Sequence, residues 1–285
     1  MINSEVDFMR TIYLTLLCLL LATTVCMPAS AANKINYQPL ITRWQQQINI
    51  TTGTYGIYLI DIKTGSTAGI NELQPFHAAS TIKLPINLYL YEKISAGDIS
   101  LHTSLTYQQK HFEGGTGYLQ QNPVGSTFSI SELAQASITH SDNVAINILY
   151  DFLGRANVKS YMRRLGGKVV FEDKNSTCPR DMAIYMNATR KFSRREPQLG
   201  NMLIHHLEST VFNERIPAGV PSAIKVAHKI GNWPPTGTYN DVAYVHHPDS
   251  PYILAIFSKN TGNRQDAFFT IRKISEITFQ FHSEI

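Results

Sequence analysis

Residues 77–85 read HAASTIKLP and place a serine, Ser80, three positions before a lysine, Lys83, at the start of a long apolar stretch. Residues at positions i and i+3 lie on one face of a helix, so this spacing predicts that the Lys83 amine reaches the Ser80 hydroxyl. A serine hydroxyl becomes a useful nucleophile when a neighbouring base or cation activates it. The alternative is that Ser80 caps the helix and that Lys83 is solvated. The pair alone does not decide between these interpretations.

The rest of the chain predicts strands near both ends and helices between them. The predicted helices cover residues 34–49, 80 to a stop at 97, 129–139, 144–152, 157–165, 179–190, 201–209 and 264–281, and the predicted strands cover 55–61, 66–70, 223–230, 241–246 and 252–258. This order predicts an α+β fold, in which an antiparallel sheet from both chain ends is flanked by helices and carries an inserted all-helical domain. Within one domain, 32–285, we expect an α/β part (32–76 and 213–285) and a helical part (77–212).

The N-terminus has the pattern of a secretory signal peptide. Arg10 precedes an apolar run over residues 11–25, which ends in the small-residue sequence 28–31. We expect cleavage after residue 31 and export to the periplasm or the medium, with no stable membrane span afterwards. An uncleaved membrane anchor is the alternative, although the apolar run is short for a transmembrane helix.

Composition and cysteine content narrow the function classes. The net charge of +4 comes from scattered lysines and arginines, and the absence of a basic run argues against nucleic-acid binding. After removal of residues 1–31 one cysteine remains, Cys178, which excludes an intramolecular disulfide. Two histidine pairs, 205–206 and 246–247, are poorly spaced for a shared metal, because strand neighbours point to opposite faces. We expect no metal, no organic cofactor and a monomer.

Three separated motifs carry the candidate chemistry. They are Ser80-Thr81-Ile82-Lys83, Ser141-Asp142-Asn143 between two predicted helices, and Lys229-Ile230-Gly231 at the end of a predicted strand. In this order they resemble the S-x-x-K, S-D-N and K-T-G set of the class A β-lactamase family, penicillin-recognising serine enzymes. The resemblance extends from about residue 35 to the C-terminus and implies a β-lactamase/transpeptidase-like fold.

The resemblance implies a catalytic role for four matching residues. Ser80 is expected to attack a carbonyl and become acylated, and Lys83 to take its proton directly or through water. Ser141 is expected to relay a proton to the leaving nitrogen, and Lys229 to lie beside it and attract the substrate carboxylate. Ordinary structural roles stay open, since Ser141-Asp142-Asn143 can also be a capping turn and Lys229 an exposed lysine at a strand end.

Three more residues are expected to bind the substrate. The resemblance implies that Asn143 hydrogen-bonds the side-chain amide, and that the backbone N–H groups of Ser80 and Asn232 form an oxyanion hole. Tyr118 is expected to flank the cleft as an aromatic wall, with surface packing as the alternative.

Two departures from the family pattern limit the expected activity. Ile230 replaces the hydroxyl residue of K-T-G, which removes a hydrogen bond to the substrate carboxylate. The E-x-x-L-N motif, whose glutamate activates the deacylating water in the family, is missing from a shortened segment between Asn143 and Pro179. Glu172 is the only glutamate there and is a weak candidate for that base.

The sequence therefore predicts an exported serine hydrolase that forms an acyl-enzyme on Ser80. Its expected substrates are β-lactams, which it hydrolyses if deacylation is efficient, or cell-wall peptides of the D-Ala-D-Ala type. One alternative is a D,D-peptidase-like or slowly deacylating penicillin-interacting protein. The other is a non-catalytic binder that keeps the cleft, although the intact motif residues argue against it.

Overall fold

Helices and strands follow the predicted order in the computed structural model, which describes residues 34–285; the expected signal peptide lies outside the described residues. The helices are α1 (Gln38–Asn49), α2 (Lys83–Ser95), α3 (Ile130–Thr139), α4 (Asn143–Leu153), α5 (Arg155–Arg164), α6 (Pro179–Arg195), α7 (Pro197–Glu208) and α8 (Arg264–Glu284). The strands are β1 (Thr54–Asp61), β2 (Thr67–Ile70), β3 (Phe76–His77), β4 (Ser104–Thr106), β5 (Thr127–Ser129), β6 (Ser176–Thr177), β7 (Val226–Trp233), β8 (Thr238–Val245) and β9 (Tyr252–Lys259). Within residues 34–285, no helix has the length and apolarity needed to cross a membrane.

The central sheet joins strands from both ends of the described chain. Its order is β2-β1-β9-β8-β7, and all neighbouring strands are antiparallel. This arrangement confirms the predicted α+β fold. A second, two-stranded pairing of β3 with β6 places His77 opposite Ser176, so the segment before Ser80 is tied to the segment before α6.

The two faces of the sheet bury separate hydrophobic clusters. Side chains alternate along a strand, so Ile57 and Leu59 of β1 face one cluster while Tyr58 faces the other. Helices α1 and α8 cover the first face, and α6 packs against β1, β8 and β9 on the second. The site elements therefore rest on a sheet that is buried on both sides. The division into an α/β part and a helical part at residues 76/77 and 212/213 stays a prediction.

Three helix starts differ from their predicted positions by three or four residues. Helix α1 begins at Gln38 rather than at residue 34, and α7 begins at Pro197 rather than at 201. A proline lies in the first turn of each, where its missing N–H costs no hydrogen bond. The prediction that Ser80 opens an α-helix is wrong. Ser80 lies in a single 3₁₀ turn, Ala79–Ile82, that precedes α2, and no side chain caps either helix start.

Candidate active site

A cleft of about 690 Å³ gathers most of the residues that the sequence singled out. The 3₁₀ turn Ala79–Ile82, the start of α4, residues 172–175 and the end of β7 surround it. The predicted site residues that line it are Ser80, Lys83, Ser141, Asn143, Glu172 and Asn232. A cleft of this size suits a small-molecule ligand.

The turn that carries Ser80 is held rigidly by its neighbours. Ala79 has a left-handed φ of 49°, which is uncommon outside glycine and marks local backbone strain. The Ala78 N–H donates to the carbonyl of Asn175 at 2.8 Å, and the Asn175 side-chain amide donates to the Ala79 carbonyl at 3.2 Å. The Ser80 hydroxyl itself makes no hydrogen bond to any residue of the described part. It is therefore presented to the cleft rather than used as a helix cap.

Gly231 lets strand β7 lie directly against this turn. A Cβ atom at Gly231 would lie 2.8 Å from the Ala78 carbonyl oxygen and 3.1 Å from the Ser80 nitrogen. The first distance is well inside van der Waals contact, so a larger residue would push the strand away from the turn. The glycine of the third motif thus sets the distance between the Ser80 backbone and β7.

Lys83 is buried among three acceptors other than Ser80. Its Nζ donates to the Ser141 carbonyl at 2.5 Å, to Asn143 Oδ1 at 2.8 Å and to Ser141 Oγ at 3.2 Å. The direct contact with the Ser80 hydroxyl that the i, i+3 spacing predicted is therefore not formed. Burial lowers the pKa of Lys83 from 10.5 to about 7, against the opposing charges of Glu113 and Asp142.

In the second motif, Asp142 has a structural role, whereas Ser141 contributes to the site. Asp142 caps α4 by accepting the Ala145 N–H at 2.9 Å, and its other oxygen accepts the N–H groups of Tyr118 and Leu119 at 2.7 and 2.8 Å. The capping interpretation is thus right for Asp142. Ser141 adopts a left-handed φ of 53° and turns its hydroxyl toward the buried lysines instead.

Two cations other than Lys83 are buried at the β7 side of the cleft. Lys229 donates from Nζ to Ser141 Oγ at 2.9 Å, which excludes the alternative of an exposed strand-end lysine. Burial, and then the positive charge of Lys83, hold the pKa of Lys229 well below its usual range. Arg215 is also buried and donates to the Asn232 side chain and to the Asn240 carbonyl. Burial lowers the pKa of Arg215 to about 10.

Sequence reasoning missed Arg215 as part of the site. The only signal was its place within the range that resembles the family, 14 residues before the third motif. Its contacts with the side chain of Asn232 and the backbone around Gly231 connect it to the end of β7. A full positive charge therefore lies behind the strand that lines the cleft.

Aromatic residues other than Tyr118 line the cleft. The Tyr118 ring packs edge-on against His140 with centroids 5.1 Å apart, and a role for Tyr118 in substrate binding stays a prediction. Trp233 and His77 line the cleft instead, and their rings are stacked 4.9 Å apart. Strand β7 continues past its predicted end at Ile230, and this extension brings Trp233 to the cleft.

The carboxylates of the cleft wall are all exposed. Glu172 lines the cleft, but its side chain is 62% exposed and pairs with Arg163 at 2.5 Å. Glu113 and Asp173 also line the cleft and are exposed. No cluster of histidine, cysteine and acidic side chains within residues 34–285 is suited to hold a metal ion.

Comparisons with known proteins agree with this geometry. A model described as the Beta-lactamase enzyme family matches residues 39–282. Beta-lactamase ROB-1 of Haemophilus influenzae is 26% identical, over 90% of this chain and 88% of that protein. The solved structure of PBP-A is 27% identical, with a TM-score of 0.83 over 88% of this chain and 98% of that one. A PBP-A mutant, solved as an acyl-enzyme complex with penicillin G, is 26% identical, with a TM-score of 0.80 over 86% of this chain and 96% of that one.

Proposed function

This chain belongs to the β-lactamase enzyme family, and from that premise we propose that it is an exported serine hydrolase that forms an acyl-enzyme on Ser80 and releases it slowly. One observation carries the proposal. The Ser141 hydroxyl oxygen lies between the Nζ atoms of Lys229 and Lys83, at 2.9 and 3.2 Å, in the cleft that presents Ser80. This arrangement offers a nucleophile, a base with a lowered pKa and a proton relay in one place.

Acylation of Ser80 would depend on whether the Lys83 amine is protonated or neutral. A protonated Lys83 uses its three N–H donors on Ser141 and Asn143. A neutral Lys83 has two donors for the nearer oxygens and a lone pair, which can take the Ser80 proton directly or through water. Its pKa of about 7 means that both forms are present at neutral pH. The Ser80 oxygen then bonds to the substrate carbonyl carbon as its proton passes to Lys83.

The relay on Ser141 would complete the transfer. As the bond between the carbonyl carbon and the leaving nitrogen breaks, Ser141 gives its hydroxyl proton to that nitrogen and regains one from Lys83 or Lys229. The Ser80 and Asn232 N–H groups are proposed to stabilise the oxyanion. The Arg215 guanidinium and the buried Lys229 amine, which an anion would help to protonate, favour a substrate with a carboxylate near that nitrogen, as in β-lactams and in peptides that end in D-Ala-D-Ala.

Slow hydrolysis of the acyl-enzyme is expected because the carboxylates that line the cleft are exposed. A hydrolytic water needs a base held against it in a site that excludes solvent. Glu172, Glu113 and Asp173 all face solvent, and Glu172 is also paired with Arg163. The same feature favours the second candidate function, a D,D-peptidase-like or penicillin-interacting protein. The structural similarity to PBP-A, whose mutant was solved as an acyl-enzyme with penicillin G, supports that candidate.

A chromogenic cephalosporin tests the proposal. We expect a burst of about one chromophore per protein molecule, followed by turnover at least about 10²-fold slower than the burst, because a general base contributes about 10²–10⁴-fold to such a step. Intact-mass measurement should show a persistent adduct. Rapid turnover without an accumulating adduct would contradict slow release, and the absence of both burst and adduct would remove the acyl-enzyme for β-lactams.

Gly231→Ala is expected to slow acylation by about 10²–10³-fold, the cost of losing one oxyanion-hole donor. The new methyl group would contact the Ala78 carbonyl and the Ser80 nitrogen and force β7 away from the turn. The measurement is the second-order rate constant of adduct formation. Gly262→Ala is the matched control, because its Cβ would meet only ordinary contacts of 3.7 Å and more. Equal rates in both variants would show that β7 does not position the donor.

A further inference from the structure

Lys159 is a buried cation on the cleft wall without a carboxylate partner. It lies on α5, is 4% exposed and lines the same cleft as Ser80. Its Nζ donates to the Lys174 carbonyl at 3.0 Å. Within the described residues it forms no other side-chain hydrogen bond, and no carboxylate lies within 4.0 Å of its Nζ.

A buried ammonium group in this position would be stabilised by a bound anion. It has three N–H donors, of which one is used, and burying an unpaired charge is costly. The nearby acidic side chains, Glu172 and Asp173, form no ion pair with it within 4.0 Å, and Glu172 pairs with Arg163 at 2.5 Å. Burial accordingly lowers the pKa of Lys159. Arg155, one helical turn before Lys159, adds a second positive charge to this end of the cleft.

Lys159 lies at the end of the cleft where we place the acyl chain of the substrate. Asn143, Asn147 and Tyr150 lie along one face of α4 and all line the cleft. They lead from the Ser141 end toward Arg155, whose guanidinium lies 4.5 Å from the Tyr150 ring centre. A helix rises 1.5 Å per residue, so Tyr150 is about 10 Å beyond Asn143 along the axis. The buried charges of Lys229 and Arg215 mark the opposite end.

We infer that Lys159, with Arg155 beside it, forms a subsite for a carboxylate at the far end of the substrate's acyl chain. This inference rests on the proposed acyl transfer to Ser80. It assigns the substrate class as acyl donors with two separated anionic groups, one beside the scissile bond and one at the far end of the acyl chain.

A matched pair of penicillins tests the subsite. One carries an adipoyl side chain that ends in a carboxylate, and the other carries the terminal carboxamide of the same chain. The ratio of their acylation rate constants at Ser80 is expected to be roughly tenfold in favour of the carboxylate, the size of a charge-assisted hydrogen bond. Lys159→Met should bring the ratio to about one, and Lys159→Arg should keep most of it. Lys168→Met, which removes an exposed charge outside the cleft, should leave it unchanged.

The outcomes separate this inference from the proposed function. Equal rates of the two penicillins in the wild-type protein would overturn the subsite without any variant. A fall of both rates by the same factor in Lys159→Met would also overturn it, because Lys159 would then only anchor the Lys174 segment. If neither penicillin formed an adduct on Ser80, the proposed function itself would fail, and this inference with it.

Discussion

Ser80→Ala is expected to abolish the covalent adduct completely while leaving the free energy of unfolding within about 0.5 kcal/mol of the wild-type value. The Ser80 hydroxyl is half-buried and makes no hydrogen bond within the described residues, so its removal breaks no interaction. The contacts that hold the turn do not involve the Ser80 side chain, because they come from the backbone and from other side chains, among them Asn175 and Thr81. The measurements are intact mass after incubation with benzylpenicillin and urea unfolding of the unreacted protein.

The control for this variant removes a hydroxyl elsewhere. Ser222 is exposed and does not line the cleft, so Ser222→Ala should form the adduct at the wild-type rate. Cys178 offers no competing nucleophile, because burial raises the pKa of its thiol to about 12. An adduct of the same mass on Ser80→Ala would therefore place the acyl group on a different residue and refute the role of Ser80.

Sequence alone predicted the elements and motifs of the site, because both depend on local patterns. Strand alternation and helix periodicity gave the α+β order, and the order of three motifs gave the family. The interactions of Lys83 could not be predicted in this way. Its partners Ser141 and Asn143 are 58 and 60 residues distant in sequence, and their distances depend on how α4 packs beside α2. The i, i+3 spacing places Lys83 on the same side as Ser80 but does not fix which acceptors its amine reaches.

The aromatic wall shows a second limit of local patterns. Tyr118 follows a glycine-rich loop that matches the family, which suggested a position at the cleft. In the structure the Tyr118 N–H is bound by Asp142, and its ring lies against His140. Trp233 lines the cleft because β7 pairs with β8 as far as Trp233 and Thr238. Strand length beyond the apolar run depends on this pairing, which no short window of sequence reveals.

Buried lysines were also beyond sequence reasoning. Lysine is almost never fully buried without a partner, so nothing in the sequence indicated the burial of Lys159, and the roles of Lys83 and Lys229 came from their motifs alone. Their burial results from the convergence of α2, α5 and β7 on one cleft. The cleft therefore gathers three amines whose pKa burial lowers.

Lys83→Met is expected to slow acylation of Ser80 by about 10²–10⁴-fold, the usual contribution of a general base. Methionine has a similar shape and length but neither takes a proton nor donates to Ser141 and Asn143. The variant should fold, because removing one of two neighbouring buried positive charges relieves its repulsion with Lys229. The measurement is the second-order rate constant of adduct formation. Lys93→Met, which removes a partly exposed charge from the same helix, should react at the wild-type rate.

The pH dependence distinguishes a base from a residue that only holds the site together. Lys83 acts as a base in its neutral form, so wild-type acylation should rise with pH and reach half its plateau near pH 7, the lowered pKa of Lys83. Below that pH the ammonium form predominates, and its three N–H donors are committed to Ser141 and Asn143. Lys83→Met should lose this inflection along with the rate. A slow variant that kept a half-maximum near pH 7 would assign the titration to another group and leave Lys83 with a positioning role.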